Sequence, residues 1–294
     1  MKLPATIKQL LKLRGPNPSP PPPIPKLNGI LKSTLFDAKQ KNAETAWLVL
    51  TTCTLLTANL PTSVSHLYSF ATRKDPADPS TRYGLERVVN TAALMRESAF
   101  KSTVFVGVPR VILSLAEFAD ALEDDVKERL PKTLNSVKDH DPREITRTED
   151  MDTIVARGRI LWNSIYEPYE VKLHDKLSSY HPDFMSFIIQ AYGSVLSPFS
   201  VISTSTNEHG NLSRVMTSIV GSACLRAEGG VGPQLTSHVF GLLKGRAAES
   251  QGYEMNEEDR WLVTDEGTEW VINTVDSILG VVAPAPSQQS KAKL

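Results

Sequence analysis

The apolar positions of this chain recur at helical spacing. Over 231–245, Leu235, Val239, Leu242 and Leu243 fall on one helical face. Pro233 stands near the first helical position, where its missing N–H costs nothing, and Gly245 is placed to end the helix. His238, four residues before Leu242, sits near the apolar face. The stretch 60–73 repeats the arrangement. Pro61, Ser65, His66, Leu67 and Tyr68 correspond to Pro233, Ser237, His238, Val239 and Phe240. Each set comes after an apolar helical stretch carrying one cysteine, Cys53 in the first and Cys224 in the second. Such a repeat reads as a degenerate internal duplication.

The same periodicity predicts helices over most of the chain. One covers 43–59 and its partner 61–72. The segment 73–81 is a loop, with Ser80 or Thr81 as N-cap of the next helix. One or two helices span 82–105, with Leu85, Val88, Val89, Ala92, Leu94 and Met95 at core spacing. After a break at Val106-Gly107-Val108-Pro109, a further helix runs to Leu122 with Val111, Ile112, Leu115, Phe118 and Leu122 inward. Further helices are expected over 151–164, with Ile154, Ile160, Leu161 and Trp162 apolar, and over 166–179, 182–196, 212–226 and 233–248. Asn256 and Thr264 read as caps of the last two, with acids in the first turn, where the helix dipole favours them. No alternating strand pattern appears, so the fold class is all-α, with two degenerate helical repeats.

Polar and Pro-rich segments divide this pattern. The expected organisation is a basic N-terminal segment with a Pro-rich linker (1–42), a first helical half (43–126), a polar linker (127–150), a second half (151–281) and a flexible tail (282–294). The stretch 46–72 has no Asp, Glu, Lys or Arg, and a membrane helix needs about 20 apolar residues. Its threonines, Asn59 and Pro61 favour two buried helices instead, so no membrane span is expected.

With 294 residues and a net charge of −1, the chain can bury a sizeable core but lacks the basic surplus of a dedicated nucleic-acid binder. Two cysteines 171 residues apart form neither a secreted disulfide framework nor a CxxC site. His174 and His181 have no partner at ligand spacing, so neither a metal nor another cofactor is expected.

The ends carry candidate addresses. Lys2, Lys8, Lys12, Arg14, Lys26 and Lys32 precede the first acid, Asp37, and Ile7, Leu10, Leu11 and Leu13 lie among them. Two readings stand side by side: a mitochondrial presequence, and a basic helix that docks on the body. The segment 16–25, PNPSPPPPIP, is expected to be a polyproline II spacer. The last three residues, Ala292, Lys293 and Leu294, match a variant of the small–basic–leucine import address. This predicts the peroxisomal matrix as location and the import receptor as a partner.

Several segments together resemble the alkylhydroperoxidase D (AhpD)-like, or carboxymuconolactone decarboxylase-like, family, most closely its fungal peroxisomal type. They are Arg96-Glu97-Ser98-Ala99-Phe100-Lys101 with Phe105-Val106-Gly107-Val108-Pro109; Gly158-Arg159-Ile160-Leu161-Trp162 through Tyr166, with His181-Pro182-Asp183-Phe184 and Tyr192-Gly193; and His238, Leu242 and Gly245. The resemblance spans roughly residues 44–280 and implies an all-helical fold, homodimerisation and a redox ancestry. The family's redox members carry Glu-x11-Cys-x-x-Cys-x3-His. Aligning that histidine on His238 places Gln234 and Val231 at the cysteine positions and Ile219 at the glutamate. Aligning it on His66 places Thr62, Asn59 and Trp47 there. Neither half keeps the cysteine pair, and a disulfide relay needs both an attacking and a resolving thiol.

His238 remains the first candidate acid–base residue, because histidine titrates near neutral pH. Its alternative is a satisfied core histidine. Glu97 is the candidate carboxylate, His66 a second histidine, and Cys224 a thiol that a helical hairpin could turn toward His238. Cys53 and Cys224 otherwise read as separate buried thiols. Arg214 and Arg226 could meet an anionic substrate, though solvated positions fit them better. Two classes stay open. One is an AhpD-like oxidoreductase or decarboxylase-class enzyme acting on a small molecule, with His238 and Glu97 as its acid–base set. The other is a non-catalytic binding or scaffold protein on the same fold. A cavity at His238 with a carboxylate or thiol in reach would mark the first; apolar packing there and a large apolar surface would mark the second.

Overall fold

The computed structural model describes residues 3–13, 15, 17–130, 151–198, 209–247, 249–251 and 255–283. Among them the chain is all-α, with no strand. The helices are α1 (Ala5–Leu10), α2 (Ile24–Gln40), α3 (Glu44–Thr57), α4 (Pro61–Thr72), α5 (Leu85–Lys101), α6 (Thr103–Val106), α7 (Val108–Ala121) and α8 (Asp124–Arg129). They continue as α9 (Met151–Tyr166), α10 (Glu170–Ser178), α11 (Phe184–Ala191), α12 (Arg214–Glu228), α13 (Gly232–Lys244), α14 (Glu257–Leu262) and α15 (Asp265–Val282), and a π turn (Tyr192–Leu196) extends α11.

Two helices form the centre. Every residue of α3 from Ala46 to Thr57 is buried, as is every residue of α12 from Arg214 to Leu225, and the two helices pack against each other. Burial on all sides accounts for the uncharged stretch in the sequence. The buried threonines of α3 satisfy their hydroxyls within the helix. Thr52 donates to Leu48 O at 2.8 Å, Thr54 to Leu50 O at 2.6 Å and Thr57 to Cys53 O at 2.7 Å. No helix among the described residues is long and apolar enough to cross a membrane.

Each central helix is succeeded by a proline-started helix bearing a histidine, α4 after α3 and α13 after α12. The N-cap residues Leu60 and Val231 have similar backbone angles, φ −117° ψ 65° and φ −115° ψ 41°. One hydrophobic core runs from Leu27 to Val282 and joins the segments read as two halves. A second, smaller cluster of Leu161, Trp162, Ile165, Met185, Ile189, Tyr192 and Leu196 lies beneath α9, α11 and the π turn.

Several expectations change. Helix α2 falls in the segment read as spacer and linker; Leu27, Leu31, Thr34 and Ala38 bury a stripe against α3 and α15. Prolines at its start had masked this i, i+4, i+7 spacing. No residue of α1 is buried. Helix α5 begins at Leu85 behind Gly84 rather than at a Ser80 or Thr81 cap, because Asp78 caps a short 3-10 turn, Pro79–Thr81, instead. Ile112, expected inward, faces outward, and so does Ile160 among the apolar positions of α9. Helix α8 crosses the expected boundary between the first half and the polar linker, anchored by Val126 and Leu130. Asn256 and Thr264 do cap α14 and α15, accepting from Asp259 N at 2.7 Å and Gly267 N at 3.0 Å.

Candidate functional site

Helix α13 delivers His238 into the core, where it is 4% exposed. Its ring meets Phe105 edge-on, with centroids 5.1 Å apart. Across α12 it faces Gly221: a Cβ there would stand 2.7 Å from His238 Nδ1 and 3.0 Å from Phe105 Cζ. Only a glycine leaves room for the imidazole. On the other side, His238 Nε2 lies 3.4 Å from Tyr166 Oη and 3.5 Å from Tyr192 Oη, and the two hydroxyls are 3.1 Å apart. The distances to His238 are long for hydrogen bonds.

A close helix crossing places those phenols. Gly158 of α9 lies on the π turn at Gly193. An added Cβ at Gly158 would come 2.0 Å from Ile189 O, and one at Gly193 would come 1.9 Å from Ile154 O. Backbone-to-backbone approach brings the ends of α9 and α11 together, with Tyr166 on one and Tyr192 on the other.

Arg214, one of the two arginines for which a solvated position fitted better, is 2% exposed in the first turn of α12. Its guanidinium bonds Ser164 Oγ at 3.0 Å, Ser218 Oγ at 2.5 Å and Gly241 O at 3.1 Å. Arg226 is exposed and paired with Asp276. Burial first, and the Arg214 charge second, lower the His238 pKa to about 4. At neutral pH the ring is therefore neutral. Burial also raises the pKa of both tyrosines.

The other candidates are dispersed. Glu97 is buried on α5, where its Oε1 accepts from Leu212 N at 3.0 Å and lies 3.4 Å from Lys101 Nζ. Lys101, fully buried, also donates to Leu196 O at 2.7 Å and Ser197 O at 2.9 Å. Burial lowers the Lys101 pKa to about 8 and raises that of Glu97. The pair thus ties α5 to the end of the π turn and to the chain before α12. His66, half-buried on α4, bonds Asn28 Oδ1 of α2 at 2.7 Å.

Cys224 meets Cys53 and Ser102. Ser102 Oγ lies 3.3 Å from Cys224 Sγ and 3.5 Å from Cys53 Sγ, so one hydroxyl bridges the two thiols. The sequence placed each cysteine on its own apolar helix; the crossing of α3 and α12 makes them neighbours. Only the shared position of the two cysteines, ahead of each Pro-His helix, hinted at it.

Two surface grooves lie elsewhere. One, between α2 and α15, is lined by Asp37, Lys41, Glu266, Glu269 and Trp270. The other, between α13 and α15, is apolar and lined by Leu235, Val239, Phe240, Leu243 and Ile272. His238 lines neither. Among the described residues no group of three or more His, Cys, Asp or Glu is placed to hold a metal ion. Residues Ala292, Lys293 and Leu294 fall outside the described residues. Compared with protein-family models, curated proteins and solved structures, this chain matches nothing.

Proposed function

We propose that the protein is a non-catalytic binding or scaffold protein of AhpD-like descent, acting as a homodimer in the peroxisomal matrix. The observation that carries the reading is the setting of His238. The side chain best suited to acid–base work is neutral, packed edge-on against Phe105, and faced by two phenols. Glu97, its expected carboxylate partner, is held by Leu212 N and Lys101 instead.

The surface supports the same reading. Helix α11 is apolar on both faces: Met185 and Ile189 are buried, while Phe187 is 67% exposed and Phe184 is also exposed. Ile160 on α9, Val171 on α10 and Phe240 on α13 are uncovered too. These helices pack on one another, α9 with α10, α11 and α13, and α10 with α11. Exposed large apolar side chains on neighbouring helices favour an interaction surface. A second copy would cover them, in line with the dimer that the family resemblance implies.

Co-expression of two differently tagged copies tests the assembly. Each tag should retain the other copy, and failure to do so removes the dimer. A fluorescent N-terminal fusion tests the location: punctate signal should become diffuse when Leu294 is deleted. A signal that is diffuse in both forms removes the peroxisomal assignment.

A further inference from the structure

The α3–α12 crossing holds a chemistry that the scaffold reading does not use. Two thiols from helices 171 residues apart in sequence meet in the centre of the molecule, both fully buried. Hydroxyls stand beside them within the apolar core. Ser102 touches both sulfurs, and the Thr57 hydroxyl bonds Cys53 O at 2.7 Å. Cys53 Sγ is also 4.0 Å from Ser98 O.

We propose that Cys53 and Cys224 form a redox-active dithiol that closes to a disulfide bridging α3 and α12, with a small aliphatic disulfide as oxidant. The Cys224 thiolate attacks one sulfur of the oxidant RS–SR. The S–S bond breaks, a mixed disulfide Cys224–S–SR forms, and RS⁻ leaves and takes up a proton. Cys53 then gives up its proton and attacks the Cys224 sulfur. The Cys53–Cys224 bond forms and a second RSH leaves. Two protein thiols are oxidised and one RS–SR is reduced to two RSH.

The surroundings assign the two roles. Burial pushes the Cys53 thiol well above its usual range. Burial acts on Cys224 as well, but the polar groups beside it, Cys53 and Ser102 first, outweigh it and favour Cys224 as the thiolate. The disulfide product carries no charge and no polar hydrogen, so the apolar crossing accommodates it better than a thiolate.

A surface pair holds the end of α3. Arg110 on α7 bonds Glu228 at the end of α12 and donates to Thr57 O at 2.9 Å. Both side chains are about one-third exposed. Arg110 thus holds the carbonyl of Thr57, whose hydroxyl bonds Cys53 O at 2.7 Å. Opening the Arg110–Glu228 pair would loosen the end of α3 and admit a small reagent.

The test uses the full chain, reduced and then incubated with bis(2-hydroxyethyl) disulfide. The sample is quenched in acid, unfolded in the presence of an alkylating reagent, and its thiols counted by intact mass. The expected result is the loss of both alkylatable thiols, with a Cys53–Cys224 crosslink in the peptide map. Cys53→Ser should stop at a mixed disulfide on Cys224, and Cys224→Ser should not react while native. Arg110→Ala should close about tenfold faster than the parent chain. The proposal is overturned if both thiols remain alkylatable under conditions that oxidise the urea-unfolded chain. It is equally overturned if each cysteine carries a separate mixed disulfide with no crosslink. Circular dichroism of the serine variants shows whether a failure to react reflects the chemistry or the fold.

Discussion

The Tyr166 and Tyr192 hydroxyls stand 3.1 Å apart, and both face His238 Nε2. Three titratable rings thus meet inside the protein. Burial first, and the Arg214 charge second, keep His238 neutral, and neutrality has a measurable consequence. The folded pKa, about 4, lies below the unfolded value of 6.5. Above pH 6.5 both states hold a neutral ring and stability is complete. As pH falls from 6.5 toward 4, the unfolded chain binds a proton that the folded chain refuses, and stability drops. The full effect is about 3 kcal/mol. Urea unfolding at a series of pH values should show this slope in the parent chain. His238→Gln should flatten it over that window.

Gly221→Ala should destabilise the fold by roughly 1–3 kcal/mol, although alanine is the better helix former. The new methyl meets His238 Nδ1 at 2.7 Å and the Phe105 ring at 3.0 Å. Both neighbours are side chains and can shift. Gly158→Ala should cost more, about 3 kcal/mol or above, because its methyl meets the Ile189 carbonyl at 2.0 Å and no side chain can yield there. Thermal unfolding of the two variants side by side checks the order.

Glu97→Gln keeps an acceptor for Leu212 N but removes the charge facing Lys101. It should cost about 3–5 kcal/mol, since a buried cation loses its counter-charge. Lys101→Met should also destabilise, by releasing the carbonyls of Leu196 and Ser197. The double variant should lose less than the sum of the two by about 1–3 kcal/mol. Denaturant unfolding of the four proteins gives the coupling. An additive result would mean that the two charges do not act as a pair.

The helical class was readable because periodicity marks helices wherever one face is polar. It also located the two Pro-His helices and the caps at Asn256 and Thr264. It failed where the determinant was not periodic. Helix α2 hid behind its prolines and supplies Leu27, Leu31 and Ala38 to the core. Arg214 read as solvated because charge normally is, yet Ser164, Ser218 and Gly241 O satisfy it inside. Ile112 read as core because a sequence cannot tell a face covered by its own chain from one left uncovered. The meeting of Cys53, Ser102 and Cys224 depends on how α3 crosses α12, and no local pattern encodes that crossing.

The exposed apolar side chains of α9, α10, α11 and α13 carry the central claim, that this protein works by association rather than by turnover at His238. Size-exclusion chromatography with light scattering tests it most directly, on the parent chain and on Phe187→Glu. The 32.4 kDa chain should run at twice its mass. Phe187→Glu should run at the single-chain mass, because a charge buried at the interface would be unpaired. A parent chain that stays at 32.4 kDa at every concentration would contradict the claim.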